Sequence, residues 1–111
     1  MADELTVAFT LPGRDAELYA AWREQPPAFL TDGGYERRDE SYDTLVYEAD
    51  VTGKGTRLLM FGMATTLYRL TVTFKPDAAG GTHVTVSGQA KDEVREAILR
   101  YADEHGSARA V

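Results

Sequence analysis

The sequence predicts an α+β fold: a curved antiparallel sheet of about six strands, in the order β-α-β5-α, that closes around a C-terminal α-helix. Three observations support this prediction. Several segments alternate apolar and polar residues, which is typical of half-buried strands. The connections after the first helix are short and rich in turn residues, which indicates antiparallel pairing. The last segment repeats its apolar residues at helical spacing.

The first two elements are a strand and a helix. Residues 5–11 alternate apolar side chains with threonine and alanine, and the strand ends at Pro12-Gly13. Asp15 is a suitable N-cap for the helix that follows. Tyr19 and Trp22 fall on one side of this helix, which ends before two consecutive prolines.

The middle of the chain predicts two further strands. Residues 28–30 suit a single helical turn, and residues 32–34 (Asp-Gly-Gly) break the chain. Residues 35–41 are polar and charged, which is typical of an edge strand. Residues 45–51 alternate again and lead into a hairpin turn at residues 52–55.

The C-terminal part predicts a hairpin and a helix. The strands cover residues 68–75 and 83–87, joined by a turn over residues 76–81. Residues 92–105 follow as a helix with one apolar face, and Gly106 is suited to its C′ position.

Size and composition predict one domain over residues 1–106, followed by a frayed tail over residues 107–111. The chain has 111 residues, of which 43% are hydrophobic and 27% charged, which is ordinary for a globular protein. It contains no cysteine, which fits a reducing compartment. The N-terminus lacks a basic segment followed by an apolar one, so we expect no signal peptide and a cytoplasmic protein.

Charge argues against two classes of partner. The net charge is −6, and Arg37 and Arg38 are flanked by acidic residues, so no basic patch is expected and nucleic-acid binding is disfavoured. The longest apolar run is too short to span a bilayer, so we expect no membrane partner. Arginine outnumbers lysine, which hints at a GC-rich bacterial genome.

No catalytic or metal site is predicted, and no cofactor. His83 and His105 are far apart in the sequence and lack carboxylates at ligand spacing. None of the three serines lies in a Gly-x-Ser-x-Gly elbow. The carboxylates between residues 36 and 50 are expected to form a solvated face. Glu48 is the one that could be buried, and a buried Glu48 would favour acid–base catalysis.

The order of elements resembles the helix-grip fold of the START / polyketide-cyclase-like (SRPBCC) superfamily, which includes the birch-pollen allergens. The resemblance rests on the strand over residues 5–11 with its helix entry at residues 12–22, the break at residues 32–35, and the hairpin of residues 67–75 and 81–88. It covers nearly the whole chain as a pattern, without a diagnostic motif. It implies an apolar ligand held between sheet and helix, with no shared catalytic residues. Because the chain is shorter than typical members, it also implies a reduced cavity.

An alternative fold is a ferredoxin-like or dimeric α+β sandwich. That fold would require the first strand to lie centrally in the sheet, with the two helices side by side.

Bulky side chains on the predicted inward faces suggest a ligand site. Converging tyrosines would form an apolar chamber with a few polar tips, as in small-molecule sites. The candidate lining residues are Tyr19, Trp22, Tyr47, Leu58, Met60, Tyr68, Leu70 and Tyr101. The alternative is that these side chains simply fill the core of a short domain.

The apolar stretch over residues 58–63 leaves a second choice open. It could be an inner strand covered on both sides, or a surface patch covered by a second copy of the chain. In the second case Leu59, Phe61 and Met63 form a homodimer interface. The sequence therefore favours a non-catalytic binder of a small apolar or aromatic ligand, with a homodimeric interaction protein or a cyclase- or hydratase-type enzyme as alternatives.

Overall fold

The computed structural model describes residues 4–50, 67–78 and 80–106. Three helices and five strands occur in this part of the chain. They are β1 (Glu4–Leu11), α1 (Asp15–Glu24), α2 (Ala28–Thr31), β2 (Glu36–Glu40), β3 (Thr44–Asp50), β4 (Leu67–Pro76), β5 (Thr82–Gln89) and α3 (Asp92–His105). None of these helices is both long and apolar enough to cross a membrane.

The five strands form one antiparallel sheet in the order β1-β5-β4-β3-β2. The α+β class, the antiparallel sheet and the C-terminal helix are therefore confirmed. Among the described strands β1 lies at an edge of the sheet, whereas the alternative fold needs a central first strand. The hairpin turn predicted at residues 52–55 and the apolar stretch at residues 58–63 lie outside the described residues.

One face of the sheet forms the core. Val7 lies opposite Val86, Val86 opposite Val72, and Val72 opposite Leu45, so one apolar row crosses four strands. Val86, Val72 and Leu45 are fully buried. Side chains two residues apart share a face, so the alternation seen in the sequence produces this surface directly.

The helices cover that face in different places. Helix α1 packs against β4 and also contacts β3 and β5, whereas α3 packs against β1 and α2. Near the start of α3, Arg95 donates from its Nη2 to the carbonyl oxygen of Glu4 at 2.8 Å. At its end, a Cβ on Gly106 would lie 3.0 Å from the carbonyl oxygen of Thr10. Helix α3 therefore runs beside β1 over most of the strand.

Two predicted helix caps differ from the structure. Asp15 is the first residue of α1, and the N-cap is Arg14, whose side chain makes no capping hydrogen bond. Asp15 is instead placed to stabilise the positive end of the helix dipole. Gly106 takes an extended conformation, with φ of −120°, rather than the left-handed one of a C′ glycine. A glycine is needed there because Thr10 and Phe9 approach so closely.

Candidate functional site

A layer of aromatic rings lies between the sheet and the helices. Trp22, on α1, contacts Phe29, Phe74 and Tyr101 with ring centroids 5.8, 5.4 and 5.8 Å apart. All three contacts are edge-to-face, a geometry that favours aromatic pairs beyond the area they bury. Trp22 therefore links α1 to α2, to β4 and to α3.

Tyr101 is the second centre of this layer. Its ring lies 5.3 Å from that of Phe29 and 6.1 Å from that of Phe9, and it also contacts the ring of His105 at 4.4 Å. Burial raises the pKa of the Tyr101 hydroxyl. The side chain thus spans from the core to the exposed end of α3.

Backbone carbonyl groups hold the hydroxyls of three other tyrosines. The hydroxyl of Tyr19 donates to the Ser41 carbonyl and that of Tyr35 to the Gln89 carbonyl, each at 2.6 Å. The hydroxyl of Tyr47 donates to the Trp22 carbonyl at 3.1 Å. These bonds fix the position of each ring.

The bond from Tyr47 has a local cause in α1. The regular helical donor to the Trp22 carbonyl would be residue 26, which is a proline and has no N–H. Tyr47, which is fully buried on β3, supplies the missing donor. Burial raises the pKa of its hydroxyl to about 12.

The structure describes six of the eight predicted lining residues and places all six on the inner side. Tyr47 and Leu70 are fully buried neighbours in register, and Trp22 is buried beside them. Tyr19, Tyr68 and Tyr101 are partly buried and pack against this core. Leu58 and Met60 lie outside the described residues, as do Leu59, Phe61 and Met63 of the predicted dimer interface.

The sequence analysis did not select four residues of this layer, Phe9, Phe29, Tyr35 and Phe74. Phe9 and Phe74 occupy inward positions of strands that alternate apolar and polar residues, so the sequence pattern did indicate that their side chains face the core. Phe29 and Tyr35 lie beside turns, where no periodicity indicates which side chains turn inward. They are buried because α2 folds back onto α3.

A cleft of about 300 Å³ opens onto this core between the α2–β2 loop and the first turn of α3. Its lining residues are Asp32, Gly33, Tyr35, Lys91, Glu93 and Val94. Tyr35 belongs to the buried core, and Val94 packs against it. At Gly33 a Cβ would lie only 2.8 Å from Val94 Cγ2, so a side chain there would push the loop away from α3.

Histidines and carboxylates are the candidates for acid–base or metal chemistry in residues 4–50, 67–78 and 80–106. No histidine or carboxylate among them is buried. The Glu48 carboxylate lies on the outer face, where Arg69 binds it at 2.7 Å and Arg38 approaches to 3.9 Å. No group of three potential metal ligands converges among these residues.

No family model and no curated protein sequence matches this chain. Among solved structures, the crystal structure of DR_A0006 from Deinococcus radiodurans has a TM-score of 0.47 and 16% sequence identity. The match covers 91% of this chain and 95% of that one. At this level of similarity it supports no statement about fold or function.

Proposed function

We propose that this protein is a non-catalytic binder of a small apolar or aromatic ligand, held between its sheet and α3. The cleft between Tyr35 and Val94 carries the proposal, because it is a concave opening between the α2–β2 loop and α3 that reaches the apolar core. Its volume of about 300 Å³ is at the lower end of small-molecule sites.

The polar groups of the interior support the choice of ligand class. The hydroxyl of Tyr35, the tyrosine that lines the cleft, donates to the Gln89 carbonyl, so its ring surface remains to contact a ligand. The charged lining residues Asp32, Lys91 and Glu93 are exposed, whereas Tyr35 is buried, so a charged ligand group would be costly to bury at the inner end of the cleft. An uncharged ligand of one or two rings is therefore favoured.

The same proposal includes the finer assignment of the fold. In it, the sheet gains a sixth strand from the stretch over residues 58–63 and closes around α3 as in the helix-grip fold of the START / SRPBCC superfamily. Leu58 and Met60 would then complete the lining of the site in a cytoplasmic protein.

Fluorescence titration tests ligand binding directly, because Trp22 is the only tryptophan and lies within the aromatic layer. We expect neutral one- or two-ring aromatic compounds that neither absorb at the excitation wavelength nor emit in the tryptophan range to change the Trp22 emission in a saturable way. The same compounds should raise the melting temperature, since a ligand that binds only the folded state stabilises it. A panel that produces neither effect would contradict the proposal.

Variants at Val94 locate the site. Val94→Phe should fill the cleft and weaken binding at least about tenfold, whereas Val94→Ala should retain it. Leu99→Phe is the matched control, because Leu99 lies exposed on the same helix. Equal binding by both phenylalanine variants would place the ligand elsewhere.

A further inference from the structure

A second, smaller cleft lies at the N-terminal end of α1, where the β2–β3 turn meets the first turn of the helix. It has a volume of about 150 Å³, comparable to a cavity that holds a single benzene ring. Its lining residues are Asp15, Ala16, Tyr19, Tyr42, Asp43 and Phe74. None of them lines the cleft beside α3, so this site is independent of the function proposed above.

The helix and the sheet supply fixed aromatic walls. Tyr19 follows Asp15 and Ala16 by about one turn, so the three residues share a face of α1. The Tyr19 hydroxyl is held by the Ser41 carbonyl, and its ring packs edge-to-face on Phe74 with centroids 5.9 Å apart. Ala16 is small, which leaves the space in front of these rings open.

Tyr42 forms the outer wall and is the most unusual residue of the cleft. Its side chain is 94% exposed, although tyrosine normally buries much of its ring. The turn that carries it is anchored on both sides. Ser41 N–H donates to the Thr44 carbonyl at 2.9 Å, and Phe74 N–H donates to the Asp43 carbonyl at 2.9 Å. An exposed aromatic ring on a fixed backbone is typical of a recognition surface.

The charges at the rim define the class of ligand. Asp15 and Asp43 contribute two carboxylates, and Lys75 neutralises part of this charge by donating from its ammonium group to Asp43. That bond and a hydrogen bond from Thr44 lower the pKa of Asp43 by stabilising its carboxylate. Aromatic faces attract cations through their negative quadrupole.

We propose that this cleft binds a compact alkylammonium group, which enters between the rings of Tyr42 and Tyr19 with its charge toward the rim carboxylates. The aromatic walls carry the recognition, and the carboxylates add the preference for positive charge. A free ammonium compound and a lysine side chain share this chemistry.

An NMR titration of the full chain with choline tests the proposal. We expect saturable shifts of the Tyr19 and Tyr42 resonances. The neutral isostere 3,3-dimethylbutan-1-ol should bind more weakly by about 2- to 5-fold or more, which is the usual effect of a cation–π contact at an exposed site. Equal binding of the two compounds, or no saturable shift with choline, would overturn the proposal. A parallel titration with Nα-acetyl-lysine methylamide shows which of the two sources binds more tightly.

Variants of Tyr42 provide a second test of the proposal. Tyr42→Ala should weaken choline binding about 2- to 5-fold, and Tyr42→Phe should restore it, because the ring rather than the hydroxyl is required. The residue is exposed, so folding should be unaffected. Leu99 is an exposed apolar residue on α3, far along the chain from the cleft. Leu99→Ala should therefore bind choline like the parent protein. Unchanged binding by Tyr42→Ala would overturn the proposal.

Discussion

At the scale of single residues, the interior depends on polar atoms that find backbone partners. The junction of α1 with the two prolines illustrates this. Pro26 ends the helix and removes the donor that the Trp22 carbonyl would have had, and Tyr47 replaces it from the sheet. The sequence shows where Pro26 ends the helix, but the hydrogen bond that compensates for the proline comes from Tyr47, 21 residues further along the chain.

Removing the Tyr47 hydroxyl should destabilise the protein. Tyr47→Phe leaves the Trp22 carbonyl without its donor in a buried site, and we expect the free energy of unfolding to fall by about 1–3 kcal/mol. Chemical denaturation measures the effect. Tyr19→Phe is the matched control, because its bond to Ser41 is exposed and water can replace it. A larger loss in the control than in Tyr47→Phe would contradict this explanation.

The raised pKa of Tyr47 predicts a loss of stability at alkaline pH. In the unfolded chain a tyrosine ionises near pH 10, whereas in the folded protein Tyr47 does so near pH 12. Ionisation therefore favours the unfolded state, and the stabilisation present below pH 10 is lost as the pH rises toward 12. Denaturation curves at several pH values should show this decline, and it should be shallower in Tyr47→Phe. Identical slopes for the two proteins would rule out Tyr47 as the source.

At the scale of elements, the two edges of the sheet are protected in different ways. The five residues of β2 are all exposed and all charged, and its pairing with β3 shifts register between Arg37 and Asp39. Charge and a bulge both discourage pairing with another chain. The edge strand β1 lacks such charges after Glu4, but α3 runs beside it and makes contact near both of its ends.

The hairpin of β4 and β5 requires a glycine at position 88. Gly88 has φ of +136°, and a Cβ there would lie 2.0 Å from the carbonyl oxygen of Arg69 on β4. Gly88→Ala should therefore combine backbone strain with a clash and cost at least about 3 kcal/mol. Thermal or chemical unfolding gives the measurement.

Gly80 offers the control for this prediction. It also has a positive φ, of +105°, but a Cβ there would meet no atom within 4 Å. Gly80→Ala should cost only the strain, about 1–3 kcal/mol, and clearly less than Gly88→Ala. Similar losses in the two variants would show that the approach of Arg69 is not the cause.

At the scale of the whole molecule, the two clefts lie at different places around the same core, and they share no lining residue. One opens between the α2–β2 loop and the first turn of α3, and the other between α1 and the β2–β3 turn. A ligand in the first would stabilise the packing of α3, whereas one in the second would contact mainly α1 and the turn. The two proposals can therefore be tested on one sample without interfering.

Native mass spectrometry should report ligand and oligomer together. We expect a monomer that carries added mass after incubation with a binding aromatic compound, and Val94→Phe should lose that mass. A dimer that is converted to monomer by Phe61→Asp would instead favour the homodimer alternative. Leu99→Asp, at an exposed position of α3, is the charge-matched control.

The sequence by itself determined the class of the fold and the inward faces of its elements. Alternation and helical spacing are properties of neighbouring residues, and they correctly placed Tyr47, Leu70 and Trp22 in the core. They also predicted the charged edge strand and the hairpin of the last two strands.

Only the tertiary structure decided how these faces meet. It placed β1 at the edge, brought Phe29 and Tyr35 into the core beside α3, and assigned the Tyr47 hydroxyl to α1. It also made Gly106 a point of close approach rather than a left-handed cap. These features depend on contacts between residues far apart in the chain, and local periodicity cannot specify which distant surfaces will pack together.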